Sequence, residues 1–247
     1  MRYELLNNIV FSVVVPAWNE SACIEKTLIS IDRARSAQTH TGEVIVVDNN
    51  SSDDTAEVAR TAGAIVVFEP VNQIAKARNA GAAAARGKWL VFIDADTHVS
   101  TELLTATLNA LESGSVVGGG ATVAFDQELK GFAAGLVRFW NWWSVRSRMA
   151  AGCYLFCTRV AFDAVGGFDE KQFVAEELYL SRKLKKYAKK QGKEMLIFSA
   201  FPVLSSARKK DWYSSSRIAW QILVLLLPGA SRSRKLCGVW YDRSHLK

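Results

Sequence analysis

Over the first hundred residues, short apolar runs rich in Val and Ile alternate with segments whose apolar positions recur every three or four residues. NIVFSVVVP (8–16) lacks a regular polar alternation, so it predicts a strand buried on both faces. Residues 20–38 then place Ile24, Leu28 and Ile31 on one side of a helix. EVIVVD (43–48) predicts a second strand, residues 53–62 a short helix and AIVVFE (64–69) a third strand. NQIAKARNAGAAAARG (72–87) is an Ala-rich helix closed by Gly87, and KWLVFID (88–94) is a fourth strand. This alternation predicts an α/β fold: a single Rossmann-like domain with a mostly parallel central sheet flanked by helices. In such sheets ligands bind beyond the carboxyl ends of the strands.

The second half is less regular. SVVGGGATVAF (115–125) predicts a strand leaving a Gly-rich bend, and CYLFCTR (153–159) another strand followed by a short helix and the turn VGGFDE. Residues 175–190 predict a helix with a strongly basic outer face, and MLIFSAFPVL (195–204) one or two short strands. From Asp211 the chain reads as helical until Pro228–Gly229 breaks it. The expected organisation is a catalytic domain over 1–210 and a basic, partly apolar helical appendage over 211–247.

Composition narrows the class. Hydrophobic residues make up 49% and charged residues 22%, which argues for a packed globular chain. Residues 1–180 hold 15 Lys/Arg against 21 Asp/Glu, whereas 181–247 hold 16 against 3, so the positive charge is gathered at the C-terminal end. Such a region suits phosphates, an anionic membrane surface or simply a solvated helix face. Four cysteines without a zinc-ligand spacing read as small buried hydrophobes in a reducing compartment. Glu4, Asn7 and Asn8 interrupt the start where a secretory signal would need an apolar run. The apolar stretch IAWQILVLLLPG is shorter than the roughly 20 residues that span a bilayer.

Three polar clusters fall at predicted strand ends: Pro16, Asn19 and Glu20 after the first; Asp48, Asn49, Ser51, Ser52 and Asp53 after the second; Asp94 and Asp96 after the fourth. An Asp after a strand is commonly a cap or turn residue, and Asp53 reads equally as a cap of the next helix. Parallel strands, however, bring all three clusters to one edge of the sheet. Carboxylates at positions x and x+2 suit a hard divalent cation that also takes phosphate oxygens. Neither a Walker motif nor G-x-G-x-x-G is present, which argues against a P-loop or a dinucleotide site.

The ordered segments VVVPAWNE, EVIVVDNNSSDDT, ARNAGAAAARGKWLVFIDADT, VGGFDE and FVAEELYLSRKL resemble the inverting family-two glycosyltransferases, which have the A-type nucleotide-sugar fold. The resemblance covers roughly residues 9–190 and implies a nucleotide-binding half over 1–113 and an acceptor-binding half over 114–210. It implies that Pro16, Ala17, Asn19 and Glu20 cradle the nucleotide, that Asp48 bonds the base and that Arg78 contacts base or phosphate. It further implies that Asp94 lies near ribose and sugar, that Asp96 binds a divalent cation (Mn or Mg), and that Glu177, with Glu176 beside it, is the catalytic base. Tyr179 stands where the family often has Asp, and SSARKKDW replaces the Q-x-x-R-W of processive synthases, so Arg208 and Lys209 are either diphosphate or acceptor contacts or part of a solvated turn.

The expected reaction is metal-dependent, inverting transfer from a nucleoside-diphosphate sugar of the UDP or GDP type to a hydroxyl of a glycan or lipid-linked acceptor. The rival is a non-catalytic nucleotide-sugar binding protein. No nucleic-acid partner is expected, because that would leave the acidic strand ends unexplained. LVRFWNWWSVRSRM (136–149), with four aromatics and three arginines, reads as an acceptor platform, a membrane-surface patch or a core-packing helix. The expected location is cytoplasmic, with peripheral attachment to the inner face of the membrane. His98 reads either as a metal or sugar contact or as a surface residue ahead of a helix.

Overall fold

The structure, a computed structural model, describes residues 9–208, 229–237 and Tyr241. Lys209 and the apolar run 218–227 lie outside the described residues. The chain runs β1 (Phe11–Ala17), α1 (Ile24–Ser36), β2 (Gly42–Asp48), α2 (Thr55–Thr61), β3 (Ile65–Phe68), α3 (Ile74–Ala84), β4 (Trp89–Ile93) and β5 (Thr97–His98). It continues through α4 (Thr101–Glu112), β6 (Val116–Phe125), α5 (Gly131–Ser147), β7 (Tyr154–Thr158), α6 (Arg159–Ala164), α7 (Glu176–Lys190) and β8 (Glu194–Ser205).

One eight-stranded sheet has the order β3-β2-β1-β4-β7-β6-β8-β5. The first four strands of that order are parallel; β7 enters antiparallel to both β4 and β6, while β6 and β8 are again parallel. The α/β fold with a mostly parallel sheet is as expected. β1 is buried along its whole length and divides its side chains between two cores, as strand alternation requires: Phe11, Val13 and Val15 on one face, Val14 on the other. Ile24, Leu28 and Ile31 of α1 and Leu103, Leu104 and Leu108 of α4 fill the first face. Ala77 of α3, Phe162 of α6, and Leu180 and Leu184 of α7 fill the second. Each such large side chain contributes roughly 1.5–3 kcal/mol relative to remaining exposed.

Two second-half expectations need correction, and one open reading is decided. SVVGGGATVAF does not leave a bend; its glycines lie inside continuous β6. A Cβ on Gly119 would sit 1.8 Å from the Leu196 carbonyl oxygen, so glycine is demanded by close backbone approach rather than by a turn. MLIFSAFPVL forms one long strand, β8, paired with β6 across two register shifts. The aromatic segment is helical as α5 but does not pack as a core helix: Ser144 is its one buried residue.

β1 lies between β2 and β4, with its successors running outward on both sides. The chain exits at Ala17, Asp48 and Ile93 therefore converge on one edge, at the crevice such sheets use for ligands.

Candidate active site

The polar loops leaving β1 and β2 are tied to each other. Asn19 adopts a left-handed backbone (φ 52°), which Asn tolerates better than most residues. Its Oδ1 accepts from Ser52 N at 2.8 Å, and its own N–H donates to Ser51 Oγ at 3.0 Å. Glu20 N donates to Thr55 Oγ1 at 2.8 Å, and Ser21 N to Asp53 Oδ2 at 3.1 Å. Asp53 also accepts from Thr55 N at 3.1 Å, so it takes the turn role that was open to it. Asp48 is buried at the end of β2 and accepts from Ser51 N at 2.9 Å. Its neighbour Asn49 bonds Val71 O, Glu69 O and Gln73 N, and so sets the approach to α3.

These loops leave Pro16, Ala17, Glu20 and Asn49 on the wall of a cavity of about 340 Å³. Asp94, Asp96, Arg78, Gly152, Glu176 and Glu177 line it too, as does Trp140 of α5. His98 is half-buried in β5, where it pairs with Leu204.

Arg78 is the largest fully buried side chain. Its Nη1 donates to Glu176 Oε1 at 2.5 Å, and its Nη2 donates to Asp94 Oδ1 at 2.8 Å and to the Gly152 carbonyl at 2.7 Å. Burial opposes its charge; Asp94 and Glu176 overcome that and raise its proton affinity. A second arginine, Arg208, stands across the same turn. It donates to Asp96 Oδ2 at 3.1 Å, to Glu20 Oε2 and to the Cys23 thiol. Arg208 is thus no solvated turn residue.

α7 begins abruptly: Ala175, with φ 64°, turns the chain in the left-handed region just before Glu176 and Glu177. An Ala in that region stores strain of the kind found at functional sites. The turn sends the two glutamates to different places. Glu176 is buried against Arg78. Glu177 is half-buried, with its carboxylate 3.3–3.4 Å from where a Cβ on Gly152 would stand; its own backbone N–H bonds it and the charge of Arg78 acts on it, while no other side chain hydrogen-bonds it among the described residues. Burial, and next the charge of Glu177, push Glu176 up to about 8. Burial also raises Glu177, against the pull of Arg78.

The C-terminal segment returns to this site. Ser231 O accepts from Phe173 N at 2.6 Å and Ser231 Oγ donates to Gln172 Oε1 at 2.7 Å. Tyr241 donates to Phe173 O at 2.8 Å and lines the cavity. Sequence reasoning named Asn49 in the second cluster without a role and missed Gly152, Ala175 and Tyr241, which act through geometry that spacing does not encode.

Glu20, Asp94, Asp96, Glu176 and Glu177 face two guanidiniums among the described residues. That surplus of hard oxygen donors fits a divalent cation better than a bare diphosphate, which it would repel. No group of three or more His, Cys, Asp or Glu able to hold a metal occurs among the described residues, so a cation here would also need ligand oxygens. No described helix is long and apolar enough to cross a membrane.

Residues 12–166 match the family described as Glycosyl transferase family 2. An uncharacterized glycosyltransferase of Rickettsia prowazekii is 38% identical over 85 residues, 34% of this chain and 27% of that protein. One of Mycobacterium tuberculosis is 36% identical over 104 residues, 42% of this chain and 44% of that protein. The matches thus cover less than half the length of these relatives. Among solved structures, a mannosyltransferase from Pyrobaculum calidifontis in complex with GDP-Man and Mn²⁺ superposes with a TM-score of 0.67 at 19% identity, covering 96% of this chain and 72% of that one. Glucosyl-3-phosphoglycerate synthase from Mycobacterium tuberculosis, in complex with Mn²⁺, UDP and glucosyl-3-phosphoglycerate, gives 0.61 at 21%, covering 95% and 82%. At these identities the likeness is one of fold, the A-type glycosyltransferase fold.

Proposed function

The chain belongs to glycosyl transferase family 2, and from that premise we propose that it transfers a sugar from a nucleoside-diphosphate sugar, of the UDP or GDP type, to an acceptor hydroxyl in one inverting displacement. The observation that carries this reading is the contrast between the two glutamates. Glu176 is bonded directly to Arg78, whereas Glu177 lines the cavity with no side-chain hydrogen bond among the described residues and meets Arg78 only through its charge. A carboxylate so placed can take the proton of an attacking hydroxyl.

Pro16, Ala17, Asn19 and Glu20 cradle the nucleotide, and Asp48 meets its base. Asp94, held by Arg78, lies toward ribose and sugar. Asp96 would hold a divalent cation, Mn or Mg. That cation, when bound, offsets the negative charge growing on the leaving diphosphate. Arg208, already at Asp96, is close enough to add its own positive charge there. The acceptor oxygen forms the new bond as the anomeric C–O bond breaks; Glu177 keeps the proton, and the nucleoside diphosphate leaves with the electron pair.

Two GT-A neighbours were solved with Mn²⁺ and GDP-Man or UDP, which supports a donor of this class. The test is direct. UDP or GDP with Mn²⁺ should raise the melting temperature, and Glu177→Gln should keep that shift while slowing transfer about 10²–10⁴-fold. Transfer at the wild-type rate in Glu177→Gln would remove the assignment of the base. Absence of any shift with UDP and GDP would remove the donor class.

A further inference from the structure

α5 carries an apolar face that stays exposed among the described residues. Phe132 is 79% exposed, Phe139 60% and Trp142 62%, and Leu136 and Val145 are also exposed. Phe132, Leu136 and Phe139 follow helical spacing (i, i+4, i+7), so they form one stripe. Arg138 and Arg146 are exposed beside it, and no acidic residue occurs between Gly131 and Ser147. The positive surface continues beyond the helix. Lys185 of α7 donates to the Ser147 carbonyl at 2.9 Å, and the exposed Arg182 and Lys189 share its helix face at i−3 and i+4. From Arg182 to Lys193 there are seven basic residues and no acidic one.

Aromatic side chains flanked by arginines, with the one adjoining acid, Glu194, paired to Arg148 at 2.9 Å, match the requirements of a helix lying in a lipid interface. A protein partner of ordinary composition would not demand the absence of acidic residues; an anionic surface would. On this charge complementarity we infer that α5, together with the adjoining basic face of α7, docks flat on an anionic lipid bilayer.

The same helix that faces the lipid sends Trp140 into the cavity wall, and Leu178 and Glu177 line that cavity from the start of α7. Docking therefore sets the cavity at the membrane surface, which favours a lipid-linked acceptor over a free glycan. This last step rests on the glycosyl-transfer reading; the docking does not.

The experiment uses the full chain, without donor or metal, and vesicles of phosphatidylcholine alone or with about a third phosphatidylglycerol. The chain should sediment with the anionic vesicles, less so as salt rises, and little with the neutral ones. Phe139→Ser with Trp142→Ser should weaken vesicle binding at least tenfold and leave the melting temperature unchanged, because both side chains are exposed. Arg138→Gln and Arg146→Gln should each weaken it about fivefold. Three results would overturn the inference. One is no preference for anionic vesicles. Another is a clear loss of thermal stability in the double variant, which would place the face inside the fold. The third is a dimer in solution that the double variant abolishes, which would assign the face to a second copy. Failure of donor binding, by contrast, would leave vesicle binding untouched and would count only against the catalytic reading.

Discussion

Arg78 and Arg208 each join a carboxylate of the D-A-D turn to a glutamate from elsewhere in the chain, yet the two are built on different foundations. Arg78 rises from the middle of α3, is sealed from water and binds Asp94, Glu176 and a backbone carbonyl together. Arg208 sits just beyond the end of β8, is partly exposed, and joins Asp96 to Glu20. The first pair of contacts organises the site; the second occupies the carboxylate assigned to the cation. A buried guanidinium surrounded by acids is part of the framework, whereas one at the rim can yield its carboxylate to a ligand.

Removing each arginine should separate them most sharply. Arg78→Ala leaves the Asp94 charge uncompensated and the buried Glu176 carboxyl without its donor, and should cost about 3–5 kcal/mol of stability in denaturant unfolding. A cost no larger than that of Arg208→Ala would put the two arginines in the same class.

The pH dependence probes the buried side. Glu176 ordinarily titrates near 4.5, but burial and the charge of Glu177 push it up to about 8 in the folded chain. Between those values the native state binds more protons than the unfolded one, so stability should fall as pH rises from about 4.5 through about 8. Glu176→Gln keeps an acceptor for Arg78 and should flatten that fall in melting temperature; an unchanged slope would assign the titration elsewhere.

Arg208→Ala should cost less than Arg78→Ala, about 1–3 kcal/mol by the same unfolding measurement, because it leaves the largely buried Glu20 and Asp96 carboxylates without a donor. Its informative readout is Mn²⁺ binding without nucleotide: freeing Asp96 and Glu20 should strengthen it severalfold, and a loss of binding would mean that Arg208 supports the cation site rather than competing for it. The smallest expected effect is that of Ala175→Gly. The left-handed backbone costs Ala about 1–2 kcal/mol and glycine little, while glycine loses about 0.5–1 kcal/mol in chain entropy. The difference, a net gain between about 0 and 1.5 kcal/mol, should appear as a slightly higher melting temperature.

The first half of the chain was largely legible. Strand and helix periods predicted β1 through β4 and their parallel order, and parallel order brings the strand ends to one edge without further information. Asp53 illustrates the limit: a carboxylate in SSDDT reads equally as cap and as site, and only its bonds to Thr55 and Ser21 decide. The second half misled wherever residue choice reflected a neighbour rather than a local conformation. Gly118–Gly120 looked like a bend because the backbones of β7 and β8 that exclude a Cβ there come from distant sequence. The aromatic helix left core packing open as a reading, since composition does not say which face meets the sheet.

By itself the sequence determined the α/β class and the acidic edge, because these follow from local periodicity and from chain direction in a parallel sheet; the pair of glutamates came only from the resemblance to a known family. Tertiary structure alone decided what each charge does. It buried Glu176 and left Glu177 open, placed Arg208 on Asp96 across 112 positions, and brought Tyr241 back to the cavity. The reason is physical: a side chain's charge state and reach depend on water exclusion and on partners far away in sequence, and neither is encoded in the spacing of its neighbours.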